Sequence, residues 1–165
     1  MNEESGTFNQ KKEIVSRIEV YRMINRRNFR QEAIKWIVRN KHIRTQRDLV
    51  LELRERGFSC TQATASRDIA DMGLRKLPEG VYVLAEDLHL QRMVTEFVEG
   101  AEAVMNQVVI KTQPGTAPGV AAAIDAAELK DIMGSIAGND TVLAISRSNE
   151  SASATAKLLR KLKEV

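Results

Sequence analysis

The chain has 165 residues, of which 43% are hydrophobic and 28% charged, with a formal net charge of +3. This is a globular composition, long enough for one domain or two small ones. Its single cysteine, Cys60, excludes an intrachain disulfide and a cysteine-based metal site. No stretch approaches an apolar membrane span, and the first residues lack an apolar signal core. We therefore expect a cytoplasmic protein without membrane contacts.

The first 28 residues are polar and charged, with only a thin apolar stripe at Ile14, Ile18, Tyr21 and Ile24. They form either an additional helix or a flexible basic arm. Because so few apolar side chains are available for burial, the composition favours partial disorder.

Two helices are predicted next. Between Phe29 and Arg39 apolar residues recur at helical spacing. A second helix starts at Thr45, where Thr-x-x-Asp has the form of a capped first turn, and it stops at Gly57. A connection of four residues, 57–60, then leads to a third helical pattern.

The third pattern, residues 61–73, is the most informative part of the chain. Ala65, Ile69 and Met72 form one narrow apolar stripe, and Ser59 with Gln62 fits a capping box. Gln and Arg are side chains that bind base edges with two hydrogen bonds, so Gln62 and Arg67 suit a helix that enters a DNA groove. Taken alone, an ordinary surface helix explains this run equally well.

The surrounding segments favour DNA binding. Three short helices with a tight turn before the third are typical of a helix-turn-helix, and residues 74–84 follow as two short runs around a Pro-Glu-Gly turn. Residues 29–84 are therefore predicted to form a winged helix-turn-helix. Residues 1–84 carry 17 Lys and Arg against 11 Asp and Glu, a net of +6, whereas residues 85–165 carry 8 against 11, a net of −3. The candidate DNA contacts are Arg44, Gln46, Gln62, Thr64, Ser66, Arg67 and Lys76, with Arg47 and Arg75 as further phosphate contacts.

The second half has a different pattern. Residues 85–90 are predicted to be a connector and residues 91–165 a second domain. Its strands are predicted at 94–98, 107–112, 132–137 and 141–146, and its helices from Pro118 to Ala127 and from Asn149 to Lys163. The order β-β-α-β-β-α predicts one sheet with both helices on one face. A domain of this size gains stability by packing against copies of itself.

From about Phe29 to Leu162 the chain resembles the bacterial arginine repressor family. Two independent sets of residues carry the resemblance in the family's order. The first set is Thr45-Gln46 with Leu49, then Thr61-Gln62-Ala63-Thr64-Ala65-Ser66-Arg67-Asp68-Ile69. The second set is Thr112-Gln113-Pro114-Gly115 with Ala117, then Ile124-Asp125 and Gly134-Ser135-Ile136-Ala137-Gly138-Asn139-Asp140-Thr141. The resemblance implies operator binding by the first domain. It also implies a C-terminal domain that forms trimers and hexamers and binds L-arginine as co-repressor where two trimers meet. We expect no prosthetic group and no metal.

The resemblance implies an L-arginine site at Asp125, Ala137, Asn139 and Asp140. A guanidinium is planar and permanently charged, and carboxylates bind it best. As isolated residues, Asp125 and Asp140 are more often a helix cap and a turn residue. The family usually has two aspartates in the turn, where this chain has Asn139, and many members have a polar residue at Pro118.

Three functions follow as alternatives. The first is an arginine-responsive transcription regulator, and the second is a paralogue that binds DNA with a weakened or altered effector response. The third is a small α/β enzyme, since the C-terminal fold resembles domains that include a dehydratase. Against the third, the sequence has only His42 and His89 as histidines and no Ser-His-Asp set.

Overall fold

A computed structural model describes residues 26–164, which form two compact units; the first ends at Leu84 and the second starts at Ala85. Most of the predicted N-terminal arm, residues 1–25, lies outside the described residues. Its last three residues, 26–28, are helical and belong to the first helix of the first unit. The elements of this unit are α1 (described over residues 26–40), α2 (Gln46–Glu55), α3 (Gln62–Asp71), β1 (Arg75–Lys76) and β2 (Tyr82–Val83).

The core of the first unit is built from the apolar faces of α1 and α2. Ile34 and Ile37 of α1 and Leu49 and Leu53 of α2 are fully buried. The predicted start of α2 is confirmed, because the Thr45 hydroxyl accepts from the Asp48 amide and the Asp48 carboxylate accepts from the Thr45 amide. These reciprocal bonds satisfy two amides that the first helical turn leaves unpaired.

The start of α3 differs from the prediction. Its N-cap is Thr61, whose hydroxyl accepts from the Thr64 amide at 3.2 Å, so the capping box predicted for Ser59 and Gln62 is wrong. The helix begins later because Thr61 has the extended backbone of a cap residue. Only Ala65 and Asp68 of α3 are buried.

A short antiparallel hairpin follows α3. Arg75 pairs with Val83 and Lys76 with Tyr82. The turn between them contains Gly80 with φ of +88°, a left-handed conformation that suits glycine. The amide of Tyr82 donates to the carbonyl of Ile43, which fixes the hairpin to the segment before α2.

The second unit is a four-stranded antiparallel sheet with three helices. Its elements are α4 (Ala85–Phe97), β3 (Val98–Val104), β4 (Gln107–Thr112), α5 (Ala117–Ala126), β5 (Ile132–Ala137), β6 (Thr141–Ser146) and α6 (Asn149–Lys163). The strand order is β3-β4-β6-β5. Pro118 lies in the first turn of α5, where its missing amide costs no hydrogen bond.

Two predictions are wrong at the start of this unit. The connector predicted at residues 85–90 and most of the strand predicted at residues 94–98 form the helix α4, so the order is α-β-β-α-β-β-α. Leu90 and Val94 are four residues apart and both buried, which places them on one helical face. Only Val98 of the predicted strand is in a strand, as the first residue of β3.

The core of the second unit lies between the helices and one face of the sheet. Val108 and Ile110 of β4 are buried, and so are their register partners Ala144 and Val142 of β6. Leu159 of α6 belongs to the same buried cluster, as do side chains of α4 and α5. Val109, Leu143 and Ile145, which alternate with these residues, point to the opposite face and are only half-buried.

The edge strand β3 is covered by two basic side chains of α6. Arg160 donates to the carbonyl of Ala101 at 2.5 Å, and Lys163 donates to the carbonyl of Glu99 at 2.7 Å. Within residues 26–164, no helix is long and apolar enough to cross a membrane.

Candidate functional site

The outer face of α3 presents polar side chains. Gln62, Ser66 and Arg67 are exposed, with Gln62 about one helical turn before the adjacent Ser66 and Arg67, while Thr64 is half-buried. The Thr64 hydroxyl lies 2.9 Å from the hydroxyl of Thr61 and takes part in the helix cap. Gln62, Ser66 and Arg67 are therefore the predicted α3 contacts that are available to a partner, whereas Thr64 is engaged locally.

The start of α2 reaches the same face. The side-chain amide of Gln46 donates to the Ser66 hydroxyl at 3.4 Å, so two of the predicted DNA contacts, one at the start of α2 and one within α3, meet. Arg44, two residues earlier, is exposed. The Arg54 guanidinium donates to the carbonyl of Cys60, and this bond stabilises the turn between α2 and α3.

The hairpin adds two cations. Arg75 and Lys76 are exposed on β1. The Lys76 ammonium lies 5.3 Å from the centre of the Tyr82 ring across the hairpin, and this cation–π contact orients the lysine side chain. An oriented ammonium at a hairpin tip is suited to a phosphate group.

In the second unit, the turn between β5 and β6 holds Asn139 and Asp140, which are both exposed. Its backbone is tied to the segment before α5, because the Asn139 carbonyl accepts from the Gly115 amide and the Asp140 carbonyl from the Thr112 amide. Ala137, the last residue of β5, is half-buried. The turn is thus held by hydrogen bonds while its two side chains remain accessible.

The Asp140 carboxylate already has partners. It accepts from the Thr141 hydroxyl at 2.8 Å and lies 3.8 Å from the Lys111 ammonium. The Thr141 hydroxyl and the charge of Lys111 lower the pKa of Asp140 below its ordinary value. Asp140 is consequently an anion near neutral pH, as the binding of a cation requires.

Asp125 lies apart from that turn. Its carboxylate accepts from the Ser135 hydroxyl at 3.0 Å, which connects the end of α5 to β5. It also lines an open groove of about 560 Å³ between the end of α5 and the start of β5, and neither Asn139 nor Asp140 lines this groove. Within one chain, the predicted ligand residues thus fall into two separate groups, Asp125 at the groove and Asn139 with Asp140 in the turn.

Several residues of these sites are absent from the sequence-based prediction. Lys111 alternates with the buried residues of β4, and this alternation was a signal that it faces outward. The burial of Asp68 and its pairing with Arg30 had no such signal, because a carboxylate three residues after Ala65 resembles an ordinary surface charge. In the described part of the chain, no group of His, Cys, Asp and Glu side chains is arranged to hold a metal ion.

Comparison with known proteins gives the same family for both units. Residues 24–90 match the family described as arginine repressor, DNA binding domain, and residues 94–161 match arginine repressor, C-terminal domain. The arginine repressor of Carboxydothermus hydrogenoformans is 42% identical over 132 residues, which are 73% of this chain and 88% of that protein. The arginine repressor of Thermus thermophilus is 42% identical over 76% of this chain and 83% of its own length. That of Pelotomaculum thermopropionicum is 38% identical over 81% and 95%.

Proposed function

The chain belongs to the arginine repressor family and is a DNA-binding transcription regulator of arginine metabolism rather than an enzyme, and from this premise we propose how it reads DNA and senses its effector. In this proposal residues 29–84 act as a winged helix-turn-helix, with α3 in the major groove and the hairpin as the wing. The second unit assembles copies of the chain and binds L-arginine, which modulates operator binding.

The observation that carries the DNA-reading proposal is the composition of the two faces of α3. One face packs into the unit, and the other presents Gln62, Ser66 and Arg67, with Gln46 hydrogen-bonded beside them. Gln and Arg have the two-donor or donor–acceptor geometry that distinguishes base pairs in the major groove. Exposed cations at Arg44 and Lys76 supply phosphate contacts.

Arg67→Ala and Gln62→Ala are each expected to weaken binding to the operator by about 1–3 kcal/mol, because each removes hydrogen bonds to base edges. Fluorescence anisotropy with an operator duplex selected from a random pool by the wild-type chain measures this. Glu55→Ala, which truncates an exposed side chain at the end of α2, is the control. Full operator affinity in Arg67→Ala would remove α3 from the role of recognition helix.

Lys76→Ala is expected to weaken binding to all duplexes by a similar factor. A phosphate contact carries no sequence information, but it releases about one counterion, so the slope of log affinity against log salt should fall by about one unit. Titrations at four salt concentrations with operator and unrelated duplexes test this. A loss confined to the operator would instead make Lys76 a base contact.

For the effector site, we propose that Asp125 and Asp140 serve an L-arginine bound between subunits. Two observations support a site shared between chains. Asp125 and the Asn139–Asp140 turn have separate partners within one chain, and the sheet carries apolar side chains on the face opposite its core. On that face Ile136 is 70% exposed and pairs in register with the half-buried Leu143. Exposed apolar surface of this kind favours self-association, in line with trimers that stack into hexamers.

The second candidate, a regulator with a weakened effector response, is favoured by Asn139. An amide accepts a hydrogen bond but brings no charge, and the Lys111 ammonium beside Asp140 competes with an incoming guanidinium. Asn139→Asp is expected to tighten L-arginine binding by about 1–3 kcal/mol, since it adds a charge-assisted hydrogen bond. Asp140→Asn is expected to abolish arginine-stimulated operator binding.

Calorimetry on the full chain with L-arginine, L-lysine and citrulline measures both changes, with Glu96→Gln on α4 as the control carboxylate. The planar guanidinium should make arginine the preferred ligand. Tight arginine binding by the wild type that persists in Asp140→Asn would place the effector site elsewhere. If the wild type does not respond to arginine but Asn139→Asp does, the result favours the second candidate.

A further inference from the structure

The first unit contains a buried ion pair between α1 and α3. Asp68 is 2% exposed and is the one buried acidic residue in the described part of the chain. Arg30 of α1 donates two hydrogen bonds to the Asp68 carboxylate, from Nε to Oδ2 at 2.5 Å and from Nη2 to Oδ1 at 3.0 Å. The hydrogen bond to Asp68 is the largest effect on Arg30 and raises its pKa. Both carboxylate oxygens are therefore satisfied by one guanidinium.

A second ion pair between the same two helices lies one helical turn away and has a single hydrogen bond. Arg27 of α1 lies 2.7 Å from the Asp71 carboxylate of α3, and both side chains are about half exposed. The arginines are three residues apart on α1 and the aspartates are three residues apart on α3. The two helices are thus joined by pairs in a fixed register, one buried and one exposed.

Apolar packing alone specifies the rotation of α3 only weakly. Ala65 is its one buried apolar residue, and Ile69 and Met72 beside it are partly buried. A methyl group fits many orientations, whereas a bidentate guanidinium–carboxylate contact has one geometry. Buried ion pairs contribute little net stability compared with apolar residues of the same volume, and their best-attested role is to fix one arrangement among several.

We propose that Arg30 and Asp68 are positioning residues that set the rotation of α3 and thereby the sequence specificity of DNA binding. This inference rests on the proposed role of α3 as the recognition helix. Asp68 follows Arg67 directly, so the pair fixes the backbone from which Arg67 extends. Since side chains reach about 5–6 Å from a helix axis, a rotation of about 20° moves their ends by about 2 Å. Such a shift breaks a bidentate contact to a base.

The test compares the affinity of the full chain for the selected operator with its affinity for an unrelated duplex of equal length. Asp68→Asn keeps the shape but removes the charge, and it is expected to lower the ratio of the two affinities at least tenfold. Arg30→Lys keeps the charge but loses the planar guanidinium that donates two parallel hydrogen bonds. It is expected to lower the ratio of the two affinities several-fold. Affinity for the unrelated duplex should change less than twofold in both, because the phosphate contacts remain.

Asp71→Asn is the matched control, since it breaks the neighbouring exposed pair between the same two helices, and its ratio of affinities should stay within twofold of wild type. All titrations are made at least 20 °C below the unfolding midpoint of each variant, with circular dichroism of the folded state as a check. An Asp68→Asn variant with a lower midpoint but an unchanged ratio overturns the proposal, because the pair then acts on stability alone. If Asp68→Asn does not fold, an unchanged ratio of affinities in Arg30→Lys overturns the proposal instead.

The outcome for Arg67→Ala separates this proposal from the one it rests on. Loss of specificity in Arg67→Ala with an unchanged ratio in Asp68→Asn and Arg30→Lys refutes only the positioning role. An unchanged ratio in Arg67→Ala refutes the recognition-helix assignment, and the positioning role falls with it.

Discussion

Residues 1–84 alone are expected to bind the operator at least about 100-fold more weakly than the full chain. In the proposed assembly, two copies of α3 bind adjacent half-sites, and the second binding event then occurs at a high effective concentration. The isolated fragment retains the buried cluster around Ile34 and Leu53, so it keeps its own core. It loses the sheet on which we place self-association.

The measurement is operator affinity of the fragment and the full chain in the same buffer, with light scattering for oligomer size. Fusion of residues 1–84 to an unrelated trimeric coiled coil is the control and should recover much of the lost affinity. A monomeric full chain at micromolar concentration, or a fragment that binds as tightly as the full chain, would contradict linked half-site binding.

Leu159→Ala is expected to destabilise the second unit by about 2–5 kcal/mol. Leu159 is fully buried between α6 and the sheet, and truncation leaves a cavity in addition to the lost burial. The adjacent Leu158 is 39% exposed, and Leu158→Ala is the matched control with an expected loss below about 1 kcal/mol. Both changes remove the same atoms from the same helix and differ in burial.

Urea unfolding followed by circular dichroism gives the two free energies, at one chain concentration because association stabilises the folded state. Equal losses in the two variants would mean that Leu158 is buried in the assembled protein. That result would identify an interface along α6.

The strands of the second unit that have clear turn signals were predicted with their observed ends. Gln107–Thr112, Ile132–Ala137 and Thr141–Ser146 agree with the prediction, as does the helix Asn149–Lys163. Glycine and polar residues interrupt the apolar alternation between β5 and β6, and Ser148 caps α6 with a box to Ser151. Local chemistry decides these boundaries, and a sequence displays local chemistry directly.

Helix α4 was missed because its signal is tertiary. Its first turn carries Glu86 and Asp87, and its apolar residues include the four-apart pair Leu90 and Val94. A short apolar run can form either element, and here packing of α4 against α5 and α6 decides in favour of the helix. Without the helices against which it packs, the polar first turn of α4 resembles a connector.

The candidate sites show the same division. The exposed position of Arg67 follows from helical periodicity, and the sequence was sufficient to predict it. The pairing of Arg30 with Asp68 joins residues 38 positions apart, and no local pattern contains that information. The environment of Asp140 likewise depends on Lys111, which belongs to a neighbouring region of the sheet.

The covering of β3 by Arg160 and Lys163 limits how copies of this chain can associate. An edge strand with free carbonyls invites another strand to extend the sheet, and repeated extension produces fibres without a defined end. Here two carbonyls of the edge already accept hydrogen bonds from α6, so a strand added there would have to displace both cations. Open-ended polymerisation through this edge is therefore disfavoured.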